Sequence, residues 1–526
     1  MIIIRNVSVS LEAEFGDCRL LLENILSLRL PKDAKVKLYK KGVDARKKDS
    51  VHFSCAFLIE TASQNAVLKQ LKKYDAESFK EPRYEWKTAT RNTKKRPVVV
   101  GFGPAGMFAA LSLAKAGLCP IVLERGKDAD SRKRDVDSFF AGGTLNENSN
   151  VQFGEGGAGT FSDGKLNTGI KDPRIREVLR VFSTHGAGDR VLYDAKPHVG
   201  TDVLINVVKS VRKEIISLGG EVLFEHRVVG FETFGGRLKG LNVVEPNGEK
   251  FVETDCCVLA VGHSARDTFK EVKRRGIEMQ PKPFAVGARI EHLRSEIDRS
   301  QYGKFAGHSA LGAADYKLAC HLKDGRGVFT FCMCPGGVVV NASSEQGGIA
   351  VNGMSYSARD GVNSNSALLV GVGVEDYYKS DVLDGMYFQR EIEQKAFLQG
   401  NGRPVSMTVG DFLNIKDGST AEVVPSAKPT VTFGNIDNVL PKFITDSLRE
   451  GIVLLDRKLK GFADSKAVLT APETRSSSPV RILRSASGES NIRGIYPCGE
   501  GAGYAGGITS AAVDGLKAAE LIIDAM

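Results

Sequence analysis

Three glycines have the spacing of a loop that binds phosphate. Gly101, Gly103 and Gly106 form the pattern G-x-G-x-x-G. Gly101 permits a tight turn, Gly103 lets the backbone approach a pyrophosphate, and Gly106 lets a helix pack closely against a strand. Pro104 suits the first turn of that helix, whose free amides attract phosphate. The pattern predicts a dinucleotide pyrophosphate at the start of a helix from Pro104 to about Ala116.

Two apolar strands must position this loop. Residues 98–100 lead into Gly101, and residues 120–123 end on Glu124. Glu124 lies 23 positions after Gly101, where a carboxylate can accept hydrogen bonds from ribose hydroxyls. Strand, loop, helix, strand and acid in one window indicate a Rossmann-like unit, and an ordinary glycine turn is the alternative.

The far end of the chain indicates which dinucleotide is bound. Residues 494–515 read GIYPCGEGAGYAGGITSAAVDG. They resemble the C-terminal signature of FAD enzymes with a glutathione-reductase-like flavin domain. That resemblance places Glu500, after Gly499, against the ribityl chain or pyrophosphate. It also directs a helix that begins near Gly506, Gly507 and Ile508 at the flavin pyrimidine ring, where its N-terminus stabilises negative charge. A glycine-rich turn before a packing helix is the alternative.

Two internal segments extend the resemblance. The glycine-rich stretch 153–169 looks like the loop under the isoalloxazine ring in several flavoprotein families, where a bulky side chain would collide with the ring. The strand 255–262 resembles the one that returns to a flavin domain after a β-meander, and Val228 would lie against the adenine. The cofactor contacts predicted in addition to those above are Ala105, Arg125, Arg132, Gly156, Gly157, Ala158, Gly159, Thr160, Ser162, Asp163, Lys165, Val228 and Gly262.

Over nearly all of residues 1–526 the chain resembles the FAD-dependent dehydrogenase-like proteins often labelled NAD(FAD)-utilising dehydrogenases. The most specific matches are RPVVVGFGPAG, NVQFGEGGAGTFSDGKL, AVGHSARDTF, FCMCPGGVVV, ETRSSSPVRI and YPCGEGAGYAGGI. The resemblance implies FAD and redox activity, but no particular substrate. It also matches Arg132 to a family arginine on the flavin side of the cofactor, with a solvated helix arginine as the alternative. The family label leaves NAD(P)H open as a transient co-substrate.

Four side chains are candidates for catalysis. Cys332 and Cys334 could pass electrons beside a flavin. Residues i and i+2 of a strand lie on the same face, however, and the strand geometry would strain a disulfide between them. Buried strand cysteines before a turn are therefore the favoured interpretation, and no second Cys or His pair has zinc spacing. His263 either approaches the flavin or caps the next helix. Lys165 is the residue best able to offset anionic charge that develops on the flavin.

Composition agrees with a large globular enzyme. The chain has 526 residues, 42% of them hydrophobic and 26% charged, which predicts two or three domains. We expect no signal peptide, no membrane partner and no metal. Nine scattered cysteines favour reduced thiols and a cytoplasmic protein.

The positive charge is concentrated at the N-terminus. Residues 1–96 contain 21 Lys and Arg against 12 Asp and Glu, whereas residues 97–526 contain 51 of each. The apolar pattern of residues 1–90 predicts β-α-β-β-α-β, a ferredoxin-like fold, with its last strand at 79–86. RNA-recognition domains share this topology, but the strand VHFSCAFLIE lacks their signature. We therefore expect a solvated or docking basic face and no nucleic-acid partner, with RNA binding through residues 1–96 as the alternative.

The predicted fold class is α/β, with a Rossmann-like FAD domain, a β-rich cap and the N-terminal α+β domain. The predicted boundaries are 1–90, a linker at 91–96, the flavin domain at 97–268 and 481–526, and a cap at 269–480. The predicted function is hydride transfer between flavin N5 and a small-molecule substrate. The alternatives are flavin-dependent modification of RNA and an FAD-containing binding protein without turnover. The sequence leaves the substrate and the oligomeric state open.

Overall fold

The computed structural model describes residues 1–90, 95–415 and 422–526. Most of the predicted linker, 91–94, lies outside the described residues. Helices occur together with both parallel and antiparallel sheets, so the fold is mixed α/β, in agreement with the coarse prediction. In the described ranges the larger sheets have four, five, three and seven strands.

The N-terminal part has the predicted order of elements. Its strands are Ile2–Val9, Lys35–Asp44, His52–Glu60 and Ala76–Ser78, and its helices are Cys18–Leu26 and Gln64–Gln70. Across the sheet the strands follow the order Lys35–Asp44, His52–Glu60, Ile2–Val9 and Ala76–Ser78, and each is antiparallel to its neighbours. The predicted strand at 79–86 is wrong, because the last pairing with the first strand ends at Ser78.

The predicted flavin domain, residues 97–268 and 481–526 and called the flavin part below, is built on a parallel sheet. Its strand order is Ile495–Pro497, Cys257–Leu259, Val98–Val100, Ile121–Leu123 and Glu221–Leu223. The central strands are apolar because both faces are buried, one by helices and the other by an antiparallel meander together with the helix Arg266–Arg274. The strands of this meander are Arg227–Phe234, Arg237–Glu245 and Gly248–Glu253. The helices are Pro104–Lys115, Ala129–Phe140, Arg174–Phe182, Arg190–Tyr193, Thr201–Ser217, Arg266–Arg274 and Ile508–Ala525.

The third part is a mostly antiparallel sheet. Its strand order is Ala319–His321, Gly327–Cys334, Asn363–Val372, Phe284–Leu293, Val468–Glu473, Val405–Thr408 and Thr432–Phe433. Its helices are Arg294–Tyr302, Asp384–Gln399, Val409–Phe412 and Lys442–Asp456. Two small pairings complete the strands: Met279–Pro281 with Val480–Ile482, and Val338–Asn341 with Val351–Met354.

Close packing at two glycines fixes the helices around the predicted nucleotide loop. A Cβ at Gly106 would lie 1.9 Å from the carbonyl oxygen of Gly101. A Cβ at Gly515 would lie 2.1 Å from the carbonyl oxygen of Ala105, so the C-terminal helix packs tightly on the helix Pro104–Lys115. Because the strands of the five-stranded sheet are all parallel, their carboxyl ends lie at one edge, and the residues that follow them converge there.

Candidate cofactor and substrate site

One cavity of about 580 Å³ lies where the parallel sheet meets the seven-stranded sheet. This volume is within the roughly 300–1,000 Å³ common for ligand pockets. Most of the site residues predicted from the sequence line it. They are Gly101, Gly103, Pro104, Ala105, Glu124, Arg125, Gly157, Ala158, Gly159, Ser162, Asp163, Lys165, Val228, Gly262, His263, Cys332, Cys334, Glu500, Gly506, Gly507 and Ile508.

The loop after the first parallel strand leaves space for a ligand. A Cβ at Gly103 would meet only the Cα of Gly157, at 3.7 Å. Gly103 has an ordinary negative φ of −76°, which other residues could also adopt. The absence of a side chain at this position therefore matters because it leaves space in the cavity. This is the cradle that a pyrophosphate requires.

Glu124 is held in the cavity wall by backbone amides. Its carboxylate accepts hydrogen bonds from the amides of Phe102 at 2.8 Å, Gly126 at 2.9 Å and Gly154 at 2.9 Å. An ionised carboxylate offers about four acceptor positions. One position therefore remains for a donor in the cavity, which suits a ribose hydroxyl.

Two helices begin at this cavity. Gly103 precedes the helix Pro104–Lys115, and Gly507 precedes Ile508–Ala525; neither helix start receives a hydrogen bond from a capping side chain of a described residue. The free amides and the positive dipole ends favour negative charge. Together with the glycine cradle and Glu124, they form a set of donors and acceptors that fits FAD.

Four predicted cofactor contacts lie behind the wall and shape it. The amide of Gly156 donates to the carbonyl of Phe102 at 2.9 Å, and the Thr160 hydroxyl donates to the carbonyl of Glu155 at 3.2 Å. The amide of Gly499 donates to Asp514 at 2.7 Å. Gly106 packs against the strand. None of the four lines the cavity in the described structure.

The prediction that Arg132 contacts the flavin side of the cofactor is wrong, and so is its solvated alternative. The side chain is 0% exposed. It donates to the carbonyls of Asn150 at 2.8 Å, Glu155 at 2.7 Å and Val151 at 2.9 Å. Arg132 therefore holds the loop before the glycine-rich segment, because its donors are already directed at that backbone.

Asp163 lies at the centre of a cluster of charges. Arg359 donates to its carboxylate from two nitrogens, with Nε at 3.2 Å, and Ser355 donates from its hydroxyl. Burial opposes ionisation of Asp163, but Lys165 and Arg359 outweigh it and lower the pKa of the carboxyl. His198, which the sequence analysis missed, lies in this cluster; burial and the Arg359 charge lower its pKa to about 4.

His263 pairs with Glu500 across the cavity edge. Its Nδ1 lies 3.1 Å from Glu500 Oε1, and its Nε2 has no hydrogen-bond partner among the described residues. The next helix, Arg266–Arg274, has Ala265 at its N-cap and no capping side chain among the described residues. The helix-capping alternative for His263 is therefore wrong, and the pair resembles a histidine that a carboxylate orients.

The two cysteines occupy different environments. The pairing with the strand Asn363–Val372 shifts register between Phe331 and Cys334, and Cys332 has a left-handed φ of +41°. Cys334 is buried as predicted, but Cys332 is exposed to the cavity. The prediction of two buried thiols on one face is wrong because this bulge interrupts the alternation of the strand. Dense surroundings raise the pKa of Cys332 to about 12 and that of Cys334 to about 11.

A buried ion pair behind the cysteines was missed from the sequence. Arg289 donates to Glu473 at 2.6 and 3.0 Å, to the Cys332 carbonyl at 2.9 Å and to Asn365 at 2.9 Å. Burial raises the pKa of Glu473, and the Arg289 charge opposes that rise. Arg289 thus fixes the backbone of the bulge. Only the match ETRSSSPVRI, which contains Glu473, indicated this region.

A second missed network joins the flavin part to the seven-stranded sheet. Glu393 accepts paired hydrogen bonds from Arg266 at 2.8 and 2.9 Å and from Arg475 at 2.8 and 3.0 Å. Burial opposes ionisation of Glu393, but the two guanidinium groups outweigh it and lower its pKa. Arg475 also lines the cavity, so its position there depends on Glu393.

Neither a membrane span nor a metal cluster was found in the part of the chain that the structure describes. No helix in residues 1–90, 95–415 and 422–526 is long and apolar enough to cross a bilayer. Within the same ranges, no group of three or more His, Cys, Asp or Glu residues is arranged to hold a metal ion.

Comparison with known proteins identifies the class. Residues 283–476, which contain all seven strands of the seven-stranded sheet, match the family model described as FAD-dependent protein, C-terminal domain-like. An uncharacterised protein of Clostridium beijerinckii is 46% identical over 529 residues, covering 99% of this chain and 98% of that protein. These matches confirm the predicted family of FAD-dependent proteins.

Several solved structures align with this chain at low identity and low TM-score. A geranylgeranyl bacteriochlorophyll reductase-like protein of Thermoplasma acidophilum has a TM-score of 0.37 and 12% identity, covering 82% of this chain and 78% of that chain. L-proline dehydrogenase of P. horikoshii has a TM-score of 0.33 and 12% identity, with coverages of 83% and 95%. Glycine oxidase of Bacillus cereus has a TM-score of 0.32 and 12% identity, with coverages of 82% and 96%.

Proposed function

We infer the function from one premise: the chain belongs to the family of FAD-dependent proteins whose C-terminal domain spans residues 283–476. We propose that it is an oxidoreductase acting on a small-molecule substrate in the cavity between the parallel sheet and the seven-stranded sheet. Bound FAD would supply a flavin that accepts or donates two electrons as hydride. One observation carries the proposal: a single cavity has a nucleotide cradle at one part of its wall and side chains of the C-terminal domain at another.

The chain's own residues bind and orient the reactants. Gly103 and the helix start at Pro104 would hold the pyrophosphate, and the remaining acceptor position of Glu124 would take a ribose hydroxyl. The helix start at Ile508 would stabilise negative charge on the flavin. On the other side, the wall of Cys332, Glu473 and other residues of the C-terminal domain would exclude water and orient the substrate.

The proposal is tested first by the cofactor itself. We expect the purified protein to be yellow, with about one non-covalent FAD per chain, released by heat and identified by chromatography. Release of FMN or NAD, or of no cofactor, would contradict the assignment. Anaerobic mixing with NADH and with NADPH then tests the reductant: rapid bleaching of the flavin indicates a reductase, and its absence indicates a dehydrogenase that takes electrons from its own substrate.

A variant at Gly103 separates cofactor binding from folding. Gly103→Val should abolish FAD binding yet leave an apoprotein that folds, because a Cβ there meets no protein atom closer than 3.7 Å. The control is Gly16→Ala, where a Cβ would meet nothing within 4 Å. FAD content and circular dichroism measure the two effects. A yellow Gly103→Val protein with a normal FAD content would place the pyrophosphate elsewhere.

A further inference from the structure

Lys165 faces the cavity and shares a buried carboxylate with Arg359. Its side chain lines the cavity and is 25% exposed, and its Nζ lies 3.7 Å from Asp163 Oδ2. Asp163 is only 4% exposed and takes its close hydrogen bonds from Arg359 and Ser355. Arg359 and Lys165 share this one carboxylate, so the cluster has one positive charge in excess, and of the two cations only Lys165 lines the described cavity.

Each carboxylate of the cavity wall has at least one hydrogen-bond or ion-pair partner within the described structure. Glu124 is held by three backbone amides, Glu473 by Arg289 and Glu500 by His263. Asp315 pairs with Lys196 at 2.8 Å. Lys317, also in the wall, makes no ion pair with a described residue. The described wall has six Lys and Arg side chains against five Asp and Glu side chains, so its charge balance is positive.

The thiols near Lys165 do not change this balance. The Lys165 charge lowers the pKa of both Cys332 and Cys334, but desolvation by the dense surrounding protein outweighs it and raises the pKa of Cys332 to about 12 and that of Cys334 to about 11. Both thiols are therefore neutral near pH 7 and do not repel an anion. A cation in a cavity with low-dielectric walls attracts anionic ligands more strongly than the same cation on the surface does.

We propose that the substrate is a small organic carboxylate whose anionic group pairs with Lys165, with Lys317 adding to the attraction. This proposal rests on the proposed function, because it assigns the substrate class of the same cavity. A monoanion matches the single ammonium at Lys165, whereas phosphate sites usually supply several charged donors or a bidentate arginine. The Lys165 ammonium would orient the substrate and take no part in the electron transfer.

The experiment uses the FAD-loaded protein at constant ionic strength. Propanoate, benzoate and methyl phosphate are titrated separately, and the visible absorbance of the flavin is followed. We expect a saturable difference spectrum with the carboxylates. Lys165→Met should raise their apparent Kd at least about tenfold, a loss of about 1.4 kcal/mol. Lys165→Arg should bind far better than Lys165→Met, because it keeps the charge.

The matched control is Lys323→Met, an exposed lysine outside the cavity, which should leave the Kd unchanged. A yellow protein whose flavin spectrum responds to no carboxylate would overturn the inference and leave the proposed function intact. A response to methyl phosphate alone would overturn the carboxylate assignment. If Lys165→Met shifts the ligand-free flavin spectrum but keeps carboxylate affinity, Lys165 serves the cofactor and the inference is wrong. A colourless protein without FAD would instead contradict the proposed function.

Discussion

The carboxylate of Glu124 joins three separate stretches of backbone. It accepts hydrogen bonds from the nucleotide loop at Phe102, from Gly126 and from the glycine-rich segment at Gly154. Its loss would leave three amide donors without an acceptor, each in a buried region. Glu124 thus shapes the cavity before any ligand binds, in addition to the ribose contact proposed for it.

Glu124→Ala should weaken FAD binding and destabilise the apoprotein. Loss of one charge-assisted hydrogen bond costs about 1.5–3 kcal/mol, which corresponds to a rise in Kd of roughly ten- to a hundredfold. Fluorescence titration of FAD measures the Kd, and urea denaturation measures stability. The control is Glu249→Ala on the exposed meander. An unchanged Kd would show that Glu124 serves only the loops.

The thiol of Cys332 should react with iodoacetamide only at high pH. Only the thiolate reacts, and a pKa of about 12 means that the thiolate fraction rises throughout the accessible range. We expect the alkylation rate to rise about tenfold per pH unit between about pH 7 and 10. Peptide mass spectrometry follows labelling at Cys332, and Cys332→Ser removes that label. A rate that levels off near about pH 9, as glutathione's would, contradicts the raised pKa.

Elements whose pattern lies within a short stretch of sequence could be predicted. Elements whose conformation depends on residues far away in the sequence could not. The strand, glycine loop and helix around Gly103 follow from residues close in sequence, and the structure contains them at Val98–Val100 and Pro104–Lys115. The bulge at Cys332 depends on Arg289, 43 positions away, so strand alternation alone gave the wrong face. Arg132 is buried because the backbone of residues 150–155 passes over its side chain and accepts its hydrogen bonds. The sequence of the Arg132 helix does not predict that contact.

The helix Asp384–Gln399 is joined to the flavin part through Glu393. Removing one partner of a buried ion network typically costs about 3–5 kcal/mol, so Glu393→Gln should lower the urea midpoint strongly at pH 7. Glu391→Gln, on the same helix with its carboxylate 66% exposed, is the control and should change it little. The lowered pKa of Glu393 stabilises the folded state above the ordinary Glu pKa. That stabilisation is lost as the pH falls through the folded-state pKa. Equal midpoints for the two variants would contradict this role.

At the scale of the whole molecule, the N-terminal sheet is covered on both faces. Phe53 and Phe57 lie in the core shared with its helices and are 2% and 0% exposed. On the opposite face, Tyr39 packs edge-to-face on Phe79 and lies under the guanidinium of Arg176, from the helix Arg174–Phe182 of the flavin part. This packing removes the open aromatic sheet on which RNA-recognition domains stack bases.

We therefore expect no specific RNA binding by the N-terminal domain, although it carries the chain's excess of positive charge. Phosphate contacts release counterions, so RNA binding through Arg46, Lys47 and Lys48 would weaken steeply between about 0.05 and 0.2 M salt. Filter binding of total RNA to the full chain, with and without alanine at these three positions, measures it. We expect weak retention that is the same for both proteins. Sub-micromolar binding that collapses at the higher salt and is lost in the triple variant would contradict the docking role and favour a flavin-dependent enzyme that modifies RNA.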